Sequence, residues 1–347
     1  MDSSLVYGFG FILLAAICNG TFALFHKFVR EFAWENTWGC FFFFTMLLIP
    51  AAFAAVLLEG AFACWSEIWN ASGPSALLIP MAFGFLWGCG SLSFGIGVSM
   101  IGISLGYAII MGLASFLGSL IPLLRLGVGD TTAGTVIIAG ILVCVAGVAV
   151  AGYAGILRER SQSKTDAEIE APQRQMAKGI FVCILAGTFS SGFNLAFDLG
   201  APIQQLSGEK FGNPPWISQL ALLLPIFCGG FVAAGSFAMF KLLNNGTWKN
   251  FTNAHIGRNL TMTFLMSLLH FLTLLFYAIG AEHLGKVGPS VGWAVFMAMA
   301  VILANVLGFV TAEWKDASST SRRWIFGGLT LLVLGIVVLA IGKELQG

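Results

Sequence analysis

Residues 102–117, GISLGYAIIMGLASFL, return 186 residues later as residues 288–303, GPSVGWAVFMAMAVIL. Gly102, Ser104, Gly106, Ala108, Met111, Ala114 and Leu117 are matched in order by Gly288, Ser290, Gly292, Ala294, Met297, Ala300 and Leu303. In both copies G-x-S-x-G runs into an aromatic, Tyr107 or Trp293. Self-similarity at a fixed separation is the mark of an internal repeat, and three further windows keep the same order. Gly8, Leu14, Ala15, Phe22 and Leu24 pair with Gly179, Leu185, Ala186, Phe193 and Leu195, 171 residues on. Pro50 pairs with Pro225, 175 on, and Gly140, Val145, Gly147 and Val150 pair with Gly328, Val333, Gly335 and Val338, 188 on. The growing separation is what loops lengthened between matched segments produce.

The matched windows lie in a chain of 347 residues that is 58% hydrophobic and only 10% charged, against about 25% charged in soluble domains. Such a chain takes the bilayer as its solvent, where only helices and closed barrels satisfy the backbone. Its apolar runs are continuous rather than alternating, so they are helices. Cutting at charged and Pro-, Gly- or Asn-rich breaks gives ten spans, at residues 5–26, 36–58, 77–100, 102–124, 132–154, 179–199, 216–241, 259–281, 287–310 and 323–342. Asp2 opens a segment with no basic region or cleavage signal, so the first run reads as a retained span and not a signal peptide. Alternate loops hold 13 of the 17 Lys and Arg residues, which puts those loops in the cytoplasm and both termini on the external, periplasmic side of an inner membrane. The seven cysteines carry no metal-ligand spacing and read as small core residues. Net charge is near zero, with no block that would seek nucleic acid.

Ten spans divide into five-helix repeats at residues 1–157 and 179–347, joined by a polar cytoplasmic linker at 158–178. An odd number of spans per repeat makes the second insert upside down relative to the first. The expected fold is all-α, a polytopic membrane protein with 5+5 inverted repeats, the architecture of many secondary transporters.

Five short motifs carry a family resemblance. FAWENTW at 32–38, WGCG at 87–90 leading into SLSFGIG, GISLG at 102–106, FYAIG at 276–280 and AEWKDA at 312–317 resemble the L-rhamnose:proton symporter family of the drug/metabolite transporter superfamily. The resemblance covers nearly the whole chain, including an outer loop at residues 59–75. It implies proton-coupled uptake of a deoxy sugar on a 5+5 inverted-repeat fold. The chain departs from the family pattern at Thr273, where the family carries a glutamine, and at His270, where it carries an aromatic.

No Walker loop, HExxH or paired-carboxylate motif is present, so no enzyme and no cofactor or metal is expected. The informative residues are polar ones at membrane depth, which face an internal cavity because a charge at the bilayer centre costs about 2.5 to 3.5 kcal/mol. Thr263, Ser267, His270, Thr273 and Tyr277 follow one another at helical spacing and predict a cavity face on the eighth span. His270 there fits two roles: carrier of the coupling proton, since imidazole titrates near pH ~6.5, or a neutral hydrogen-bonding residue between helices. Asp198, at the outer end of the sixth span, and Glu35, at the start of the second, are the other coupling candidates; Glu35 equally fits simple compensation of a helix dipole. For a neutral monosaccharide, Asn19, Trp87, Ser91, Tyr107, Ser191, Asn194, Tyr277 and Trp293 supply amide and hydroxyl groups and aromatic faces at similar depth; packing and interfacial roles fit the same residues. Two other readings stay open: an exporter or exchanger of another small metabolite, and a sensor or scaffold that transports nothing.

Overall fold

The computed structural model describes residues 3–162 and 173–346, and the rest of the polar linker, residues 163–172, lies outside the described residues. The described chain is built of helices. These are α1 (Ser3–Thr21), α2 (Trp34–Phe43), α3 (Ile49–Leu57), α4 (Ala61–Ser72), α5 (Ser75–Ile101), α6 (Ile103–Arg125) and α7 (Thr132–Gln162) in the first half. The second half supplies α8 (Gln173–Ser190), α9 (Gly192–Leu199), α10 (Ala201–Phe211), α11 (Pro215–Asn245), α12 (Ile256–His283), α13 (Gly288–Val310) and α14 (Ser319–Glu344). Among the described residues, 10 helical stretches are long and apolar enough to cross a membrane, matching the ten expected spans one for one.

The differences have local causes. The first span ends in a tighter 3-10 turn, Phe22–Phe28. The second is continuous from Trp34 to Leu57 but widens into a π-helical turn at Phe44–Leu48. Pro50 follows at the head of α3 and has no N–H to return to the carbonyl of Met46. The third and fourth spans are separated by Gly102 alone, whose φ of 89° is open to glycine and costly for other residues. The expected outer loop contains α4, a helix of 12 residues. The fifth span runs on to Gln162 and the sixth begins at Gln173, so helix occupies both described ends of the stretch read as linker. The sixth span breaks at Ser191 and continues through α9 and α10 to Phe211.

Packing follows the sequence matches. α7 and α14 lie along each other with a glycine or small residue every seven positions: Gly140 against Leu339, Gly147 against Leu332, Gly335 against Cys144 and Gly328 against Ala151. Without a hydrophobic drive between helices in lipid, such close approach is what holds them. α5 packs on α8 as α12 packs on α1, and α6 packs on α8 as α13 packs on α1, while α6 and α13 face each other. The cross-contacts of one half therefore have counterparts in the other.

α5 and α11 cross backbone to backbone. A methyl at Gly84 would strike the carbonyl of Ile226, one at Gly229 the carbonyl of Met81, and one at Gly88 would lie 2.6 Å from the carbonyl oxygen of Gly230. Gly95, further along α5, has nothing within 4 Å and serves no close approach. Because the obstacle at the crossing is backbone, it cannot turn aside. Gly84→Ala is expected to cost stability at or above the upper end of the about 1–3 kcal/mol typical of overpacking, read as a lower melting temperature and reduced monodisperse yield in detergent. Gly10→Ala, where nothing lies within 4 Å, should leave both unchanged or slightly improved.

Candidate functional site

Three groups of polar side chains bear on the site: those facing a chamber, those tying helices together above it, and those tying helices together at the opposite, Lys/Arg-rich end.

The chamber, of about 490 Å³, lies between the two halves. Asn19 and Phe22 line it from the first span, Trp34, Trp38, Phe41, Phe42 and Met46 from the second, and Trp87, Ser91, Leu92, Phe94 and Gly95 from the third. Tyr107, Ile110, Met111 and Ala114 come from α6, Ser190 from α8, His270 and Leu274 from α12, and Trp293, Phe296 and Met297 from α13. No Asp, Glu, Lys or Arg is among these lining residues. The volume is that of a small-ligand site, largely apolar with a few polar groups. Its deep end is built from buried side chains, among them Phe41, Met46, Trp293 and Phe296, whereas Trp34, Ser91 and Gly95 at its rim are exposed. That rim lies towards the basic connectors, since Trp34 heads α2 just after Lys27 and Arg30.

His270 is held on several sides. Its Nδ1 lies 3.0 Å from the hydroxyl of Thr45. Its ring stacks on Trp87 at 6.2 Å and 10°, and meets Phe22 and Phe41 edge-on at 5.4 and 5.2 Å. The rest of the expected polar face on α12 does not reach the chamber. Thr263 and Ser267 are fully buried, and the Ser267 hydroxyl donates to the carbonyls of Thr263 and Phe41, at 2.8 and 3.2 Å. Thr273 donates to Leu269 at 2.9 Å and Tyr277 is buried elsewhere. Helical spacing identifies a stripe; which flank of it meets a neighbouring helix depends on packing that spacing does not encode.

Of the eight residues expected to contact substrate, Asn19, Trp87, Ser91, Tyr107 and Trp293 line the chamber. Ser91 donates to the carbonyl of Trp87 at 3.1 Å, and the Trp293 indole N–H donates to the carbonyl of Ala114 at 2.9 Å while its ring stacks on Phe193 and meets Tyr277 edge-on. Asn194, Tyr277 and Ser191 are not brought to it. The Asn194 amide donates to the carbonyls of Gly118 and Pro289, at 2.7 and 2.8 Å, and accepts from the Tyr277 hydroxyl. Ser191 donates to Thr188 at 2.6 Å. Above this cluster Asp198 forms an ion pair with Arg125. Asn194, Trp293 and Asp198 all bind α6 to elements of the second half, and together they close the chamber at the end away from the rim.

Glu35 belongs to the third group. The residue is 4% exposed, and its carboxylate accepts from Asn245 and Thr247, both at 2.9 Å. Asn36 beside it bonds Asn250 and the carbonyl of Thr247, and Asn259 holds both main-chain groups of Arg30. These contacts tie the second span to the end of α11 and the start of α12, away from the chamber. Sequence reasoning also missed Thr45, Trp34 and Trp38. For Thr45 a signal exists: a lone hydroxyl in an apolar run, five residues before a proline that disturbs the helix.

The whole chain, residues 1–347, matches the family model described as L-rhamnose-proton symport protein (RhaT). The L-rhamnose-proton symporter of Escherichia coli O1:K1 / APEC is 26% identical over 356 residues, covering 100% of this chain and 98% of the relative. That of Citrobacter koseri is 26% identical with the same coverage, and that of Mannheimia succiniciproducens is 24% identical over 351 residues, 99% of each.

The division between chamber and seal is open to direct labelling. With the seven native cysteines replaced, Ser91→Cys is expected to react within minutes with a water-soluble thiol reagent applied from the side of the basic connectors. Asn194→Cys should react at least tenfold more slowly from either side, as the difference in rates measured by mass spectrometry will report.

Proposed function

Since the chain belongs to the L-rhamnose-proton symport protein family, a family of transporters and not of enzymes, we propose that it takes up L-rhamnose or a closely related neutral deoxy sugar together with a proton. One observation carries this reading: a chamber between the two halves is lined by aromatic and small polar side chains, holds no acid or base of permanent charge, and contains one imidazole.

An uncharged chamber favours a neutral ligand, because an ion would lose its water there and find no counter-charge. Trp38, with the sides of Trp87 and Trp293 that His270 and Phe193 leave uncovered, suits the apolar side of a sugar ring, and the apolar deep end formed by Met46, Phe296 and Met297 suits a methyl group in place of a hydroxyl. We assign hydrogen bonds to the sugar hydroxyls to the lining residues Asn19, Tyr107, Ser91 and Ser190. His270 is the one lining side chain whose ordinary titration range spans neutral pH. We assign it the coupling proton, and we assign Asp198 and Glu35 to helix fastening on the strength of their ion pair and hydrogen bonds.

The protein is a multi-pass inner-membrane protein. Lys/Arg bias supports termini on the periplasmic side, which makes the chamber rim cytoplasmic and the conformation inward-facing. Paired packing of α5 on α8 and α12 on α1 supports inverted repeats that rock about the chamber. Energetically, one proton carried with a neutral sugar moves one charge, worth about 2.3 kcal/mol per 100 mV. At about 1.4 kcal/mol per tenfold this sustains roughly 50-fold accumulation before a pH gradient contributes.

Reconstitution in liposomes with a panel of labelled sugars tests this. Wild-type protein should concentrate L-rhamnose under an imposed potential or acid exterior and alkalinise the outside medium. His270→Gln should bring rhamnose only to equal concentrations on both sides; retained pH-driven accumulation would remove His270 from the coupling role. Asn19→Ala, which deletes a hydrogen-bonding amide, should raise the KM for the sugar about three- to tenfold with coupling intact, measured as initial uptake rates against sugar concentration.

A further inference from the structure

The side chain that faces His270 from behind the chamber is Thr45, fully buried in the π-helical turn Phe44–Leu48. A threonine inside a helix ordinarily gives its hydroxyl proton to the carbonyl three or four residues back. Thr45 does not; its hydroxyl has the imidazole Nδ1 at 3.0 Å, and the carbonyl four residues back, that of Phe41, takes the hydroxyl of Ser267 instead. A buried hydroxyl proton without an acceptor is costly, and Nδ1 is the acceptor on offer. A neutral imidazole accepts at one nitrogen and donates at the other.

We propose that Thr45 is a positioning residue for the transport cycle: by donating to Nδ1 it fixes neutral His270 as the tautomer with its proton on Nε2. This rests on the assignment of the coupling proton to His270. Nε2–H is then the group available to a ligand, as a donor. When His270 takes up its proton, the new N–H forms at Nδ1 and the Nε2–H is retained. The Thr45 hydroxyl must then turn from donor to acceptor, and its own proton needs a carbonyl of the preceding turn of α2, that of Phe41 or Phe42. Proton binding at α12 is in this way linked to the backbone of the second span, on the opposite side of the chamber interface. The ring's neighbours carry no charge of their own. Phe22 faces it from the first span, Phe41 and Thr45 from the second and Trp87 from the third, and Tyr107 on α6 is the other titratable side chain of the lining.

Thr45→Val removes the donor while keeping the shape. The variant loses the bond donated to the neutral ring and also the charge-assisted bond accepted from the imidazolium, which is about twice as strong, so the midpoint of the pH profile of rhamnose uptake should fall by about 0.4 to 1 pH unit. Thr45→Ser should return it to the wild-type position. A Val profile that overlays wild type or moves to higher pH, or a Ser variant that behaves like Val, overturns the proposal. Histidine 15N spectra of the wild-type protein, with the His270 signal among the four histidines identified by its loss in His270→Gln, test the tautomer without altering Thr45. Protonated Nε2 is expected and protonated Nδ1 contradicts it. If His270→Gln still couples, both the coupling assignment and the Thr45 role fall; if it uncouples while Thr45→Val leaves the profile unmoved, the Thr45 role alone falls.

Discussion

Low dielectric governs the buried polar contacts in this bundle. A buried group must be paired or it costs free energy, and each group of polar residues solves that problem differently. Glu35 is paired with an amide and a hydroxyl donor, part-buried Asp198 with half-exposed Arg125, and Asn194 with two carbonyls and a phenol. His270 is paired on Nδ1, with Thr45, and lines the chamber. Incomplete pairing beside a cavity distinguishes a residue free to bind something from residues committed to holding helices together.

The seal has a consequence for motion. Ala114, Gly118 and Arg125 all lie on α6, and their partners Trp293, Asn194 and Asp198 all lie in the second half. Opening the chamber at that end means releasing these contacts together, while the α7–α14 glycine pairing and the Glu35 network lie outside the path. α6 faces α13, its counterpart in the repeat, and the two carry the G-x-S-x-G segments from which the fold was read.

Much of the architecture was legible because bilayer physics is severe: spans must be long, apolar and helical, and the ten read from hydropathy are all present among the described residues. Gly140 and Gly147, matched in the sequence by Gly328 and Gly335, lie at the close α7–α14 crossing. Helix ends were less legible. Amphipathic continuations such as 155–162 of α7 and α10 beyond Leu199 carry charges that hydropathy treats as loop. In the site, aromatics and small polar residues at the right depth were half decisive. Trp87, Tyr107 and Asn19 reach the chamber, whereas Asn194 and Tyr277, equally suitable by type, turn to each other across a helix interface. Residue type and depth fix what a side chain can do. The azimuth of its helix, set by tertiary packing, fixes which of those things it does.

The central claim is that the proton travelling with the sugar sits on His270. It is tested most directly by adding L-rhamnose to the purified protein in weakly buffered detergent solution and recording proton exchange with a pH indicator, for wild type and for His270→Gln. The account predicts a sugar-dependent change in bound protons for wild type, approaching one per chain at the most favourable pH, and none for the variant. Equal proton exchange in the two proteins would contradict it.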